Sequence, residues 1–390
     1  MVVEIMSYSN GFPLFSSSSN NNLKIGKGEK IIVSDLWSFW DYILKKFIEK
    51  NNKNRSTEKI LFSFLEQAKY FYQSGEKSPI KSQALLYYYS FLNLSKIAYI
   101  INEQNNRAIE NLKYIHGISE IYRNSFKTSK ISIKTSTNGD IQIAHKIFKI
   151  FDLDRAPQDN SGKHEFNIRD ILSHCIGIHR AYSEIYEKPE FFIKIISYNL
   201  FKNGKNLYFR GYLGNKNKFN EQDIKDLVKA GYSIIKHENN TFYKCVIENG
   251  NIVFNEEEEH NKYKSIDDGY YFFNKITMRN YRVSNNDLSN LSKQIRNEGI
   301  WYFLGSNGYT MYLSKSENKN YRYSQESIIY MVMFFLGSIT RYSPYLFDTL
   351  FSDKEQWLIS EFLTTQPKQF LYLLTSHILG QSVLKAYSSF

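Results

Sequence analysis

The chain has 390 residues, 42% apolar and 23% charged, a composition that excludes a disordered or fibrous protein and allows a large buried core. Its 50 lysines and arginines exceed its 39 aspartates and glutamates, and the resulting net charge of +11 favours a polyanionic partner. The two cysteines, Cys175 and Cys245, form no Cys-x-x-Cys pair, which excludes a zinc ribbon or dithiol redox motif and fits reduced thiols in a cytoplasmic protein.

Residues 1–33 are polar and rich in Ser and Asn, and read as a flexible arm with one short strand at 31–33. The N-terminus has no basic segment followed by a long apolar one, so no signal peptide is predicted. Ser34-Asp35 caps a first helix in which Trp37, Trp40, Ile43, Leu44 and Phe47 recur at helical spacing. A second helix is predicted over 57–73. Ser78-Pro79 opens a third over 79–103, apolar nearly all round, the pattern of a buried central helix. A short fourth helix is predicted over 107–114.

From Ser129 the apolar period becomes two. Ile131 and Ile133, then Asn138-Gly139, then Ile141 and Ile143 predict a hairpin. A loop follows over 154–164 and a helix over 167–186. Strands dominate from 190 to 315, with a two-residue turn at Asn249-Gly250 and helices near 220–231 and 285–297. The acidic run 256–259 reads as a solvated strand end. The chain closes with helices from Ser324, over 353–364 and over 367–387. No stretch approaches about 18 uncharged apolar residues, so no membrane span is predicted. The order predicts an α+β fold, with helical N-terminal and C-terminal parts packed together around a β-rich middle. The predicted divisions are an arm (1–33), a helical core with a small hairpin (34–188), a β-rich insert (189–320) and a C-terminal helical bundle (321–390).

Several segments together resemble the YaaC-like family of bacterial proteins. They are Ala68-Lys-Tyr-Phe-Tyr72, the Ser78-Pro79 turn, Ala84-Leu-Leu-Tyr-Tyr-Tyr-Ser-Phe-Leu-Asn-Leu-Ser-Lys96, His116-Gly117-Ile-Ser119 and Ile168-Arg-Asp-Ile-Leu172. Ile133-Lys134 with Asn138-Gly139 matches too, as does Leu336-Gly-Ser-Ile-Thr-Arg341-Tyr342-Ser-Pro344 with Phe362-Leu363 and Pro367 after it. The resemblance covers about 60–185 and 325–372. The chain departs from it in being only mildly basic after His-Gly, in having Cys175-Ile-Gly-Ile where a proline is usual, and in its long strand-rich insert. Proteins that look like this occur as housekeeping unknowns and beside anti-phage defence genes. The resemblance therefore implies a bacterial cytoplasmic protein, with a defence subunit as one role.

Three sets of residues could carry function. Lys113, Arg123, Lys127, Lys130, Lys134, Lys146 and Lys149 interleave with Tyr114, Tyr122, Phe126 and Phe148, as cations and stacking rings do on nucleic-acid surfaces; a solvated basic face over core aromatics has the same pattern. Arg169 and His174 match the Arg-x4-His spacing of HEPN-type metal-independent ribonucleases, where His serves as base and Arg holds phosphate. Five residues along a helix set them about 140° apart, so they converge only at a distorted helix end or across two subunits. His116 reads as a last-turn histidine before the C-cap Gly117 or as a ligand residue. Arg341 closes an apolar helix, either paired with Asp348 or Glu361 or contacting phosphate.

No P-loop, dinucleotide fingerprint, nucleophile elbow or His-Glu-x-x-His motif is present, and no metal site or cofactor is predicted. The function expected is a nucleic-acid-binding or assembly subunit of an anti-phage defence system, without its own catalytic centre. Its partners would be DNA or RNA and a protein encoded nearby, with homo-oligomerisation open. The alternatives are the ribonuclease of Arg169 and His174 and a protein-interaction scaffold.

Overall fold

In a computed structural model the described residues are 4–6, 15, 23–26, 30–103, 113–123, 125–135, 140–152, 162–215, 219–258, 267–306, 308–317 and 322–386. Two short strands, β1 (Glu4–Met6) and β2 (Lys30–Val33), precede α1 (Leu36–Lys50), α2 (Arg55–Lys77) and α3 (Ile80–Asn102). The helix starts follow from capping. Asp35 accepts from the Trp37 N–H at 3.0 Å and Asn54 from the Thr57 N–H at 2.8 Å, each filling a donor that the first turn leaves open. Polar faces of α1 and α2 stay wet, whereas α3 buries Tyr88, Phe91, Leu94, Ile97 and Ile101 around most of its circumference.

The next elements are β3 (Tyr114–Ile115), β4 (Ile118–Ile121), β5 (Lys130–Lys134), β6 (Ile141–Gln142), α4 (Ile143–Phe151), β7 (Lys163–Asn167), α5 (Ile168–Ser173) and α6 (His179–Tyr186). Three expectations change here. The predicted helix over 107–114 lies outside the described residues up to 112, and Tyr114 opens a strand. The predicted hairpin does not form: β5 pairs antiparallel with β4 and β7, while β6 pairs in parallel with β3. The reason is that Ile143 also fits a helical stripe with Ile147, Phe148 and Phe151, all buried, which overrides the two-residue alternation. Finally, the helix predicted over 167–186 breaks after Ser173. Side chains replace its internal hydrogen bonds: Gln325 accepts from the Ile176 N–H at 2.7 Å and donates to the His174 carbonyl at 3.0 Å, and Gln366 donates to the Ile176 carbonyl at 3.0 Å.

The strand-rich middle contains β8 (Phe192–Lys194), β9 (Ser197–Asn203), β10 (Asn206–Gly214), α7 (Glu221–Lys229), β11 (Ile234–Glu238), β12 (Thr241–Glu248), β13 (Asn251–Glu256), β14 (Gly269–Thr277), α8 (Asn285–Asn297), β15 (Ile300–Gly305) and β16 (Gly308–Ser314). A seven-stranded sheet runs β1-β9-β10-β14-β11-β12-β13, and β15-β16-β8 form a second. Asn249 and Gly250 both have positive φ, as the predicted two-residue hairpin requires. β13 ends at an exposed Glu256.

The last elements are α9 (Gln325–Tyr342), α10 (Pro344–Phe351), α11 (Glu355–Leu379) and β17 (Ser382–Lys385), which pairs with β2. The two helices predicted on either side of Pro367 are one. Burial of Phe362 and Leu363 before it and Phe370 and Leu374 after it outweighs the roughly 3 kcal/mol of an internal proline. α3 packs against both α9 and α11: Phe91 stacks on Phe370 with ring centroids 4.0 Å apart, and a Cβ at Gly337 would lie 3.2 Å from the Ala84 carbonyl oxygen.

The fold is thus α+β, helical at both ends with a sheet-rich middle. It divides into two compact units. One comprises Met1–Ser18, Gly28–Lys30 and Phe191–Arg322; the other comprises Ser19–Lys27, Ile31–Glu190 and Tyr323–Phe390. Among the described residues no helix is long and apolar enough to cross a membrane.

Candidate functional site

The three-stranded sheet β4-β5-β7 has two chemically distinct faces. In β5, Ile131 and Ile133 are buried, and Phe166 of β7, in register with Ile131, stacks on Phe148 of α4 at 5.9 Å. α4 therefore covers this face. The alternate residues Lys130, Ser132 and Lys134 point the other way. Register places Lys163 of β7 directly opposite Lys134 and Glu165 opposite Ser132. Lys130 pairs with Glu165 at 2.9 Å. Lys134 and Lys163 are both exposed, and the charge of Lys163 adds to that of Lys130 in lowering the pKa of Glu165.

The other basic candidates distribute as follows. Arg123 and Lys127 are exposed in the β4–β5 connection, where Asn167 donates to the Lys127 carbonyl at 2.6 Å. Lys113 is exposed, 3.8 Å from Asp140. Lys146 and Lys149 sit on α4, and Lys146 lies 5.6 Å over the Tyr99 ring. The seven cations thus do not share one face, since α4 packs on the sheet's apolar side. Of the interleaved rings, Phe126 and Phe148 are buried, while half-buried Tyr122 stacks on Phe335 and half-buried Tyr114 meets Phe64 edge-on.

Two cavities meet at His116, in the bend between β3 and β4. The larger, about 660 Å³, is lined by Ser132, Lys134, Lys163, Gln142 and His116 among others. Gln142 is 3% exposed, and neither its Nε2 nor its Oε1 has a hydrogen-bond partner. The Ser132 hydroxyl, in a residue 1% exposed, has none either. Gly117 has φ +70°, but in a strand-to-strand bend and not at a helix exit, so His116 is no last-turn histidine. A Cβ at Gly117 would lie 2.9 Å from both Cβ and Oε1 of Gln142, so only glycine admits the close approach.

The smaller cavity, about 270 Å³, lies among α3, α9 and the β3–β4 bend, with Tyr88, Tyr89, His116, Ser338 and Arg341 in its lining. His116 Nδ1 is 2.5 Å from the Tyr88 hydroxyl. Arg341 is exposed and lacks the acidic partner expected of it. It donates to the Tyr89 hydroxyl at 2.5 Å, while Asp348 pairs with Lys81 at 2.6 Å and Glu361 accepts from the Trp357 indole at 3.3 Å. His116 and Arg341, two separate candidates in the sequence, thus share a pocket.

Burial holds the His116 pKa below its ordinary 6.5, and the positive charges of Lys96 and Arg341 push it the same way. A neutral imidazole keeps one nitrogen as donor and the other as acceptor. Histidine NMR titration should therefore find His116 below 6.5, and Lys96→Met should raise it; an unmoved midpoint would remove the Lys96 contribution.

The Arg169 guanidinium lies 4.2 Å over the Tyr186 ring. His174 caps the broken end of α5, is buried, and has Nδ1 2.9 Å from both the Ser173 hydroxyl and the Asp170 carbonyl oxygen. Neither lines the two cavities. Both cysteines are buried with thiols held in the neutral form by desolvation, Cys245 pushed up to about 12. His179 pairs with Glu190 at 2.8 Å, and among the described residues no group of three or more His, Cys, Asp or Glu side chains could hold a metal.

Gln142, Ser132 and Lys163 escaped the sequence reading. Gln142 is one polar residue inside an apolar run, which no motif marks, and Lys163 meets Lys134 only through strand pairing. No match exists among curated proteins or among solved structures. The model of the YaaC-like protein family matches residues 36–378, most of the length, and the chain belongs to that family.

Proposed function

We propose that this chain is a nucleic-acid-binding subunit that holds phosphates on the outer face of β4-β5-β7. One observation carries the reading: Lys134 and Lys163 stand directly opposite each other across two strands, both exposed, and the neighbouring Glu165, already paired with Lys130, acts on Lys163 only at longer range. Like charges so placed destabilise a sheet, and a bound polyanion offsets that cost. Lys130 continues the face, and Arg123 and Lys127 extend it past the strand end. The net charge of +11 acts in the same direction by drawing a polyanion to the surface. Its setting, we propose, is a bacterial anti-phage defence assembly, the role that the resemblance read from the sequence implies.

Fluorescence anisotropy with a labelled single-stranded oligonucleotide tests it. Affinity should fall steeply between about 50 and 200 mM salt as counterions compete for the phosphates. Absence of binding at the lower salt removes the reading.

A further inference from the structure

We infer that the larger cavity receives one unstacked nucleobase, with the adjoining phosphate on Lys134 and Lys163. The inference rests on the nucleic-acid reading and deepens it by naming what the site recognises. Its central observation is Gln142, 3% exposed with an unpartnered donor and an unpartnered acceptor on one amide. Buried polar groups in folded proteins are nearly always hydrogen-bonded, so an amide lacking both bonds on a residue that lines the cavity calls for an external partner, reached by a turn of the side chain because its nitrogen and oxygen are themselves covered. A nucleobase edge sets a donor beside an acceptor, and a glutamine amide is the complement of that pair.

The surroundings fit the same ligand. The Ser132 hydroxyl adds a second unpartnered polar atom, and the His116 ring adds an aromatic surface. About 660 Å³ lies within the range of small-molecule pockets. Gly117 lets the chain pass close over Gln142 and so holds the amide in place. Ser119, Ser132, Lys134 and Lys163 share one face of the sheet by register, so the base pocket and the phosphate-binding cations are continuous. Of the ring candidates, Phe126 and Phe148 are buried, and half-buried Tyr114 and Tyr122 are engaged by Phe64 and Phe335, so base recognition falls to this cavity. Only a base out of a duplex stack can enter it, which makes a single strand the ligand.

Isothermal titration of the full chain with each of the four nucleoside 5′-monophosphates and with ribose 5-phosphate tests this. At least one nucleotide should bind about tenfold more tightly than ribose 5-phosphate, the scale of one good bidentate base contact. Gln142→Met keeps chain length while removing the amide, and should close that gap. Should the variant not fold, Ser132→Ala replaces it and should narrow the gap. Equal binding of all five compounds by the wild type, or a gap that survives Gln142→Met, overturns the inference. Salt-sensitive oligonucleotide binding accompanied by equal binding of the five compounds sinks the base pocket and spares the phosphate face. Nucleotide binding without oligonucleotide binding overturns the strand as ligand and the nucleic-acid reading with it.

Discussion

Exchanging Lys130, Lys134 and Lys163 for glutamate should lower oligonucleotide affinity at least about 100-fold at low salt and flatten the salt dependence by about two units of slope, since each lost phosphate contact on a single strand removes about 0.7. The three residues lie on one face of β5 and β7 and are exposed, so reversal leaves the sheet's buried face, Ile131, Ile133 and Phe166, untouched. The Lys130–Glu165 surface pair and the weaker attraction of Lys163 for Glu165 are lost, and such exposed pairs contribute little to stability. The control is built into the fold. Lys146 and Lys149 carry the same charge on α4, which covers the opposite face. Their exchange for glutamate should change affinity by no more than about threefold, because separation and screening weaken their effect. Equal losses from the two sets would mean that net charge, and not this face, governs binding.

Stability should fall by roughly 4 kcal/mol as pH rises from about 4 to about 7, through Asp152 alone. The residue is 3% exposed at the start of α9, where its carboxylate accepts from the Ser324 N–H, from the Ser324 hydroxyl at 3.2 Å and from the Ser327 hydroxyl at 2.5 Å. Desolvation raises its pKa from the ordinary 3.8 to about 7, against the lowering effect of these hydrogen bonds, and nearby Glu326 raises it further. The folded pKa lies above the unfolded one, so the native state holds the proton more tightly. The contribution is complete below about pH 4 and is lost as pH climbs through about 7. Urea unfolding of the wild type and of Asp152→Asn across this window isolates the group, since the buried His377–Glu326 pair, 2.5 Å apart, is common to both. The difference between the two chains should change with pH by that amount; a constant difference would show that Asp152 does not titrate there.

Much of the architecture is legible in the residue order, because it depends on local periodicity and capping. α1 begins where Asp35 can cap it, α3 is buried on nearly all sides because it is apolar on nearly all sides, and Asn249-Gly250 turns a hairpin by its own backbone preference. The misplaced elements are those in which a distant partner outweighs local preference. Gln325 and Gln366 hold open the break after Ser173, and packing on both sides carries α11 through Pro367. The stripe of Ile143, Ile147 and Phe151 turns an expected strand into a helix.

Residue order alone dictates the class of molecule: α+β, basic, with a central tyrosine-rich helix, because composition and short-range spacing act residue by residue. The site was decided only by tertiary structure. His116 and Arg341 share a cavity, Lys134 faces Lys163, and the Gln142 amide closes under Gly117, each through pairing between segments far apart along the chain. Hydrogen-bond satisfaction and charge opposition are properties of neighbours in space, and no spacing in the linear order records them.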